Sequence, residues 1–312
     1  MTIMKKHILL CALALLLGTI GMVSCSDDES ASYLQLEQCI REAEELIATT
    51  QEGIEEGNIA PGAKKALQVR IEWAYYILNN SGQDLAYDNA VETLKNEMEE
   101  YKSNVVSSGY PQFGYGSKMN LGKASSWEME EGFTVECNLY YTEFAAGDQN
   151  VVSCEGNGQG WMLRSSNDKV QFYIRDGRWT GVATKSLELN KWYHVAATYS
   201  KNKEIVLYLD GEKVGSTSCK EIEISSVVDL QVGTAPSYDS RYMRGFIQDF
   251  SIWSVVRTTE EVANDVKCGF SGTEQGLKAY WPLNMNVGTD ILDMTGNYTA
   301  YTSGIVWLKE VG

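Results

Sequence analysis

The spacing of apolar residues changes along the chain from a helical period to a period of two. Between residues 30 and 106, apolar side chains recur every three or four positions, which places them on one face of a helix. Three such stripes occur: Tyr33, Leu36, Ile40, Ala43 and Ile47; Leu67, Ile71, Ala74 and Leu78; and Val91, Leu94, Met98, Tyr101 and Val105. Because short helices are not stable alone, these stripes predict a small antiparallel three-helix bundle.

The helical pattern ends at Ser107-Ser-Gly-Tyr-Pro, where turn residues cluster. Beyond this point, short runs of β-branched and aromatic residues alternate with polar ones, and turn residues separate the runs. The runs cover residues 133–141, 170–174, 222–224, 230–232 and 246–253. Many short strands on this spacing predict an all-β sandwich.

The clearest strand pair lies at residues 192–214. Two alternating runs, 192–199 and 205–214, flank the polar turn Ser200-Lys-Asn-Lys, and Asp210-Gly211 supplies residues that tolerate the positive φ of a tight turn. The segment therefore predicts a β-hairpin followed by a second sharp turn.

Motifs in this second half resemble a known family. Trp192-x-His-Val-Ala-x-Thr-Tyr is followed by Leu207-Tyr-Leu-Asp-Gly, then by Gly245-Phe-Ile-Gln-Asp-Phe-Ser-Ile-Trp-Ser, Tyr280-Trp-Pro-Leu and Asp293-Met-Thr-Gly-Asn. Their order resembles the laminin-G-like, or concanavalin A-like, jelly-roll family across residues 110–312. The resemblance implies a jelly-roll sandwich and a short helix after the motif that ends in Trp253-Ser. It also implies binding as the main role, since members of this family mostly bind and rarely catalyse.

The N-terminus predicts export. Lys5 and Lys6 precede an apolar run at residues 8–20, which is typical of a signal peptide. Met22-Val-Ser-Cys25 resembles a bacterial lipobox, in which the Cys25 thiol receives a lipid; the alternative is an ordinary secretory cleavage region. Ser26-Asp-Asp-Glu resembles the acidic tag of surface lipoproteins of Bacteroidetes-type bacteria. These features predict a lipoprotein anchored in the outer membrane and facing outwards.

The predicted organisation is therefore a two-domain protein behind an anchor. A signal peptide occupies residues 1–24, a short acidic tether 25–30, a helical spacer 31–106, and a concanavalin A-like jelly roll 107–312. The formal net charge of −16 argues against a nucleic-acid partner, because phosphate binding requires clustered Lys and Arg.

The cysteines do not form an obvious disulfide framework. Beyond Cys25, an odd number remain at wide spacing: Cys39, Cys137, Cys154, Cys219 and Cys268. A bridge between Cys137 and Cys154 on neighbouring strands stays open, but the pattern favours buried thiols.

The sequence offers no catalytic set. Glycoside hydrolysis needs two carboxyl groups at a set distance across the scissile bond. Glucanases of this fold carry alternate carboxylates on one strand. The nearest pattern here, Glu221-Ile-Glu-Ile-Ser225, has Ser225 in place of the last of these carboxylates. His194 lies inside a predicted strand, and no nucleophile motif accompanies it. Glu221 and Glu223 are instead expected on an edge strand, pointing to solvent. The chain is therefore predicted not to be an enzyme.

Binding of a sugar is the predicted function, because aromatic faces cover the C–H surfaces of sugars while polar groups take the hydroxyls. The candidate side chains in predicted loops are Trp161, Arg178, Trp179, Tyr238, Asp239, Arg241 and Tyr242. For each ring, the alternative is packing against the edge of the sandwich. Two other functions stay open: recognition of a protein partner, and service as an accessory to a separate hydrolase.

Calcium is the one cofactor that the family resemblance suggests. Asp249, Asp293 and Asn297 stand at positions that match calcium ligands. However, Leu189-Asn-Lys replaces the acidic turn of the calcium-binding laminin modules. This departure favours a structural role for the three residues.

Overall fold

The structure is a computed structural model that describes residues 29–267 and 269–311. The predicted signal peptide, the lipid-bearing Cys25 and Cys268 lie outside the described residues.

Three helices form the first part of the described chain: α1 (Ala31–Thr49), α2 (Ala63–Asn80) and α3 (Asp84–Ser103). The side chain of Ser30 caps α1 by accepting a hydrogen bond from the backbone N–H of Tyr33. Each helix packs against the other two, and the apolar stripes meet in a separate core. The predicted bundle is confirmed, except that Val105 lies beyond the end of α3 and is exposed.

None of the described helices combines the length and the apolar character that a membrane crossing requires.

The remainder of the described chain is a sandwich of two eight-stranded sheets whose strands pair antiparallel, with an additional two-stranded pair. The strands are β1 (Ser107–Ser108), β2 (Tyr110–Phe113), β3 (Lys118–Lys123), β4 (Gly132–Tyr141), β5 (Asp148–Ser153), β6 (Trp161–Ser166), β7 (Lys169–Arg175), β8 (Trp179–Ala183), β9 (Trp192–Ser200), β10 (Glu204–Leu209), β11 (Glu212–Ser218), β12 (Asp229–Val232), β13 (Gly245–Trp253), β14 (Leu277–Trp281), β15 (Met285–Asn286), β16 (Asp290–Leu292), β17 (Thr299–Ser303) and β18 (Val306–Leu308). The predicted jelly-roll architecture is confirmed.

The first sheet has the order β11-β10-β9-β4-β13-β2-β18, with β14 also paired to β13. The second has the order β16-β17-β3-β12-β5-β6-β7-β8. The inner faces of both sheets meet in one large aromatic core, in which Phe133 and Tyr199 of the first sheet contact Trp161 and Phe172 of the second.

The hairpin predicted at residues 192–214 is present as β9 and β10. Asp210 and Gly211 both adopt positive φ, 51° and 81°, and this turn leads into β11. The predicted helix after β13 is also present, as α4 (Thr259–Asp265) with a capping box formed by Thr258 and Glu261. Val262 of α4 packs on the outer face of the first sheet.

One expectation about the sandwich and one alternative that the sequence left open are wrong, whereas the favoured prediction of buried thiols is confirmed for the four described cysteines. Residues 222–224 do not form a strand, because this segment pairs only through isolated backbone hydrogen bonds such as Glu223 N–H to the carbonyl oxygen of Arg175. Cys137 and Cys154 do not lie on neighbouring strands: Cys137 is on β4 of the first sheet, and Cys154 follows β5 of the second. The four described cysteines are buried, free thiols, and burial raises their pKa.

The two separate cores generate a prediction about the proposed boundary at residue 107. Leu94 is fully buried in the helical core and Leu163 in the sandwich core. Leu94→Ala should lower the unfolding free energy of the helical bundle by about 2–5 kcal/mol and leave the sandwich unchanged, whereas Leu163→Ala should do the reverse. Urea titrations followed by far-UV circular dichroism and by tryptophan fluorescence would separate the unfolding of the bundle from that of the sandwich. Only Trp73 of the eight tryptophans lies in the three helices of the bundle, so fluorescence mainly reports the sandwich.

A single transition that both variants shift equally would show that the helices and the sandwich unfold as one unit.

Candidate binding cleft

A cleft of about 430 Å³ opens on the outer face of the second sheet, above β6, β7 and β8. Two turns form its sides, one at residues 155–158 and the other at residues 237–241. Its walls include Glu155, Asn157, Met162, Arg164, Tyr173, Trp179, Ser237, Tyr238 and Arg241. The cleft thus combines aromatic rings, guanidinium groups and a carboxylate.

The alternation of β6 and β7 supplies the base of the cleft. Leu163 and Phe172 point into the core, so their neighbours Arg164 and Tyr173 point outwards. Tyr173 stands opposite Gly181 of β8, and a Cβ on Gly181 would come within 2.2 Å of the Tyr173 ring. The missing side chain at Gly181 therefore leaves the space in which the Tyr173 ring lies.

The deepest polar group is the carboxylate of Glu155, whose side chain is 5% exposed. Its Oε1 accepts hydrogen bonds from Nη1 of Arg241 and from Nδ2 of Asn150, both at 2.8 Å. Ser153 fixes the backbone by accepting a hydrogen bond from the N–H of Glu155 at 3.0 Å. A buried carboxylate requires such partners, and here they also tie the two turns together.

A second acid balances the second guanidinium of the cleft. Asp148 pairs with Arg164 and lies 3.5 Å from Nη2 of Arg241. The Nε of Arg164 also donates to Oε1 of Gln171 at 3.2 Å. Two guanidinium groups and two carboxylates therefore form one network, and the base of the cleft carries little net charge.

Aromatic rings stand at the rim. Trp179 and Tyr238 are 37% and 46% exposed, which is high for such large side chains. The guanidinium of Arg241 lies 3.9 Å from the centroid of the Tyr238 ring, and that of Arg164 lies 5.0 Å from the Tyr173 ring. The guanidinium groups thus contact the two tyrosine rings, while Trp179 and Tyr238 remain accessible.

The two turns can approach because Gly156 has no side chain. A Cβ at this position would come within 2.7 Å of Oγ of Ser237 and within 2.6 Å of Val228. Gly156 N–H donates to the carbonyl oxygen of Gln159, which closes the first turn, and Tyr238 N–H donates to that of Ala235, which closes the second.

The structure brings together three of the candidate side chains from the sequence: Trp179, Tyr238 and Arg241. Arg178 lines a separate depression with Asp176 and Lys220, Asp239 is exposed outside the walls of the cleft, and Tyr242 packs on Tyr115 with ring centroids 5.0 Å apart. Arg178, Asp239 and Tyr242 therefore do not line the cleft.

Trp161 is wrong as a ligand-binding candidate. Its side chain is fully buried and packs against Phe133 and Phe172, because it is the first inward residue of β6 rather than a residue of the preceding turn. Sequence reasoning missed Glu155, Arg164 and Tyr173. The alternation of residues 161–166 and 169–175 predicts outward positions for Arg164 and Tyr173, but no local pattern connects Glu155 with Arg241, 86 positions away.

The proposed calcium ligands have other partners. Asp293 is 3% exposed, and its oxygens accept backbone hydrogen bonds from Tyr280, Thr295, Asn297 and Tyr298. Asp249 accepts from Asn138 and from the hydroxyl of Tyr280. Among the described residues, no group of three or more His, Cys, Asp or Glu side chains could hold a metal ion. The donors do not fit calcium, and Asp293 instead organises a turn.

Residues 113–263 match the family described as the concanavalin A-like lectin/glucanases superfamily. This part of the chain is a concanavalin A-like jelly-roll domain. The domain is similar to a structure from Bacteroides ovatus described as that of a proposed carbohydrate binding protein, with 21% identity, a TM-score of 0.55, and coverage of 66% of this chain and 60% of that one. At this identity, the likeness concerns the fold.

Weaker likenesses link the concanavalin A-like domain to two other structures. The Ruminococcus gnavus sialidase module CBM40, bound to α2,3-sialyllactose, has 15% identity, a TM-score of 0.42, and coverage of 52% of this chain and 98% of that one. The pentraxin of Limulus polyphemus has 15% identity, a TM-score of 0.40, and coverage of 52% and 82%. No curated protein sequence matches this chain.

The fit of Tyr173 over Gly181 can be tested by stability. Gly181→Ala should lower the unfolding free energy by about 1–3 kcal/mol, because the new Cβ forces the Tyr173 ring to move. Adding Tyr173→Ala should remove that penalty. Gly215→Ala on β11 is the matched control, since its Cβ would have ordinary contacts at 3.8 Å and beyond.

Urea denaturation of the single and double variants would measure the coupling. Equal stability of Gly181→Ala and Gly215→Ala would contradict the arrangement.

Proposed function

We propose that the concanavalin A-like domain binds a neutral glycan in the cleft above β6, β7 and β8 and does not cleave it. The observation that carries this proposal is the convergence of Tyr173, Trp179 and Tyr238 around the Glu155–Arg241 pair. The Bacteroides ovatus structure of the same fold, described as that of a proposed carbohydrate binding protein, agrees with it.

The chemistry of the cleft suits a sugar ring. Accessible aromatic faces cover the C–H surface of a sugar, while oriented carboxylate, amide and guanidinium groups pair with hydroxyls. The hydrogen bonds among Arg241, Glu155 and Asn150 hold these groups before a ligand arrives. Such preorganisation reduces the entropy that binding costs.

The charge of the cleft favours a neutral glycan over an acidic one. Each guanidinium group is already paired with a carboxylate: Arg164 with Asp148, and Arg241 with Glu155. An acidic sugar would have to displace one of these internal partners, and the buried Glu155 would then lose its counter-charge.

The same pairing argues against hydrolysis. Glycosidases use two carboxyl groups about 5–9.5 Å apart across the scissile bond. Among the described residues that line the cleft, Glu155 alone has a carboxylate, and it is bound to Arg241. The neighbouring carboxylate, Asp148, is paired with Arg164. Glu221, considered in the sequence as a catalytic acid, instead pairs with Lys201 at 2.9 Å. The domain therefore serves recognition, either by itself or as an accessory to a separate hydrolase.

The proposal includes attachment to the cell surface. The lipobox-like segment Met22-Val-Ser-Cys25 and the acidic residues after it support a lipid at Cys25, an outer-membrane location and display to the outside. The helical bundle then acts as a spacer between the membrane and the glycan-binding domain.

A protein partner is the second candidate function, and the helical bundle carries the observation that favours it. Val69, Trp73 and Tyr76 of α2 are exposed at 54%, 37% and 64%, and their spacing places them on one stripe. The helical spacing places this stripe on a different face of α2 from the core residues Ile71 and Ala74. A protein contact would thus use the bundle rather than the cleft.

Loss of Trp179 tests the proposed glycan site. Trp179→Ala and Tyr238→Ala should each weaken glycan binding by about 1–3 kcal/mol, because each removes a stacking face. Tyr76→Ala, at a more exposed ring on α2, is the control and should bind as the unmodified protein does. A glycan array would find the ligand, and isothermal titration calorimetry would measure the losses. Unchanged binding by both cleft variants would place the site elsewhere.

The balanced charge of the cleft predicts the response to salt and to metal removal. Binding should select neutral over uronic or sialic acid-containing glycans, and it should change little as ionic strength rises, because no net charge is neutralised. EDTA should leave the affinity unchanged, since the one carboxylate in the described walls of the cleft is already paired with Arg241. A strong preference for acidic glycans that weakens with salt would contradict the proposed neutrality.

A further inference from the structure

A second depression, of about 600 Å³, lies at the tip of the β7–β8 hairpin, immediately before Trp179 in the chain. The hairpin tip and the end of β11 form its walls. The wall residues are Asp176, Gly177, Arg178, Ser218, Cys219 and Lys220. Arg178, a candidate from the sequence that does not line the cleft, is therefore part of a different hollow.

The strand order places this depression next to the glycan cleft. The wall at residues 237–241 stands on the β5 side of the cleft, where the N–H of Asn150 on β5 donates to the carbonyl oxygen of Arg241 at 3.0 Å. On the opposite side, β8 is the last strand of the second sheet, and Trp179 begins it. Beyond β8, the neighbouring strand is β11 of the first sheet. A path across the cleft from β5 to β8 thus continues over Trp179 towards the residues after β11.

The two sides of the cleft differ in how they would meet a glycan chain. Towards β5, the two turns touch at Gly156 and Ser237, and the Glu155–Arg241 pair joins them. Towards β8, no further strand of the sheet follows, and the Trp179 ring is 37% exposed. A chain that extends out of the cleft therefore meets a wall on one side and an accessible aromatic ring on the other.

Asp176 fixes the shape of the depression. Its Oδ1 accepts a hydrogen bond from the Thr180 hydroxyl at 2.8 Å, and its Oδ2 accepts one from the backbone N–H of Lys220 at 2.9 Å. The N–H of Asp176 donates to the carbonyl oxygen of Arg178, which closes the tip of the hairpin, and Gly177 supplies a positive φ of 93°. The two walls are therefore held together before a ligand arrives, which reduces the cost of binding.

The depression presents hydrogen-bond donors that have no charged partner. Arg178 and Lys220 are exposed, and neither pairs with a carboxylate in the part of the chain that the structure describes. Exposed cations are ordinary on a protein surface, but these two stand on a fixed hairpin beside an accessible tryptophan. Guanidinium and ammonium groups donate hydrogen bonds, and sugar hydroxyls accept them.

The sizes and linings of the two hollows are complementary. The cleft, at about 430 Å³, lies near the lower end of the range of about 300–1,000 Å³ for small-molecule sites, so it encloses only a short part of a glycan. The described walls of the depression contain no aromatic ring, and a sugar there would depend on Trp179 for a stacking face. The depression therefore suits the continuation of a chain better than a separate sugar.

We propose that the glycan site continues over Trp179 into this depression, and that its ligand is a linear neutral oligosaccharide longer than the cleft. This inference rests on the proposed binding of a glycan in the cleft. One end of the oligosaccharide lies between Tyr173 and Tyr238, and a later sugar ring stacks on Trp179. The hydroxyls beyond it accept hydrogen bonds from Arg178 and Lys220.

Chain length separates binding in the cleft from binding in the extension. Isothermal titration calorimetry with the purified protein would compare the disaccharide and the hexasaccharide of the cello-, laminari-, manno- and xylo-oligosaccharide series. A disaccharide is small enough to occupy the cleft alone, whereas a hexasaccharide projects beyond it. In the series that the protein recognises, the hexasaccharide should bind about tenfold more tightly, because the second set of contacts forms within one complex.

Variants of the depression should act on the long ligand alone. Arg178→Ala and Lys220→Ala should each weaken hexasaccharide binding about fivefold, through loss of a charged donor, and leave disaccharide binding unchanged. Trp179→Ala should weaken both. Lys169→Ala, at an exposed lysine at the other end of β7, is the matched control and should bind both probes as the unmodified protein does. Thermal melting of each variant would verify that the fold is retained.

Equal affinity for the disaccharide and the hexasaccharide would overturn the extension and leave the cleft proposal standing. The same holds if Arg178→Ala and Lys220→Ala bind the hexasaccharide normally, or if they weaken both probes equally. Absence of binding by all four series would overturn the extension as well. Unchanged disaccharide binding by Trp179→Ala would instead contradict the cleft itself, and with it the extension.

Discussion

The strict alternation of side chains on β6 and β7 is the constraint on which the sandwich and its cleft both depend. Leu163 and Phe172 complete the aromatic core, and this burial forces Arg164 and Tyr173 to the outer face. A one-residue slip would place a guanidinium group in the core and expose a leucine. The cleft is therefore held by the same packing energy that holds the two sheets together.

The turns around the cleft depend on a different interaction, the buried pair of Glu155 and Arg241. Loops usually carry binding residues, and a rigid scaffold usually positions them. Here the pair links the turn after β5 to the segment before β13, and Asn150 of β5 completes the link. Removal of one partner would leave the other charged and buried. Both Glu155 and Arg241 are therefore needed to hold the two turns in place.

The sequence predicted those features that local periodicity determines. The helical stripes and the hairpin at β9 and β10 follow from spacing alone, and the turn at Asp210-Gly211 follows from the few residues that tolerate positive φ. Trp161 was misplaced because the glycine-rich run before it resembles a loop, although the strand begins at the tryptophan itself. Segment 222–224 alternates like a strand but has no continuous partner strand. Long-range contacts such as Glu155 with Arg241 leave no local trace.

The charge of the outer face of the second sheet limits what the cleft can recognise. Arg164 and Arg241 are each matched by an acid, so recognition there relies on ring faces and hydroxyl pairing. A small amine gains little in this cleft, since Glu155 there already has Arg241 as its partner.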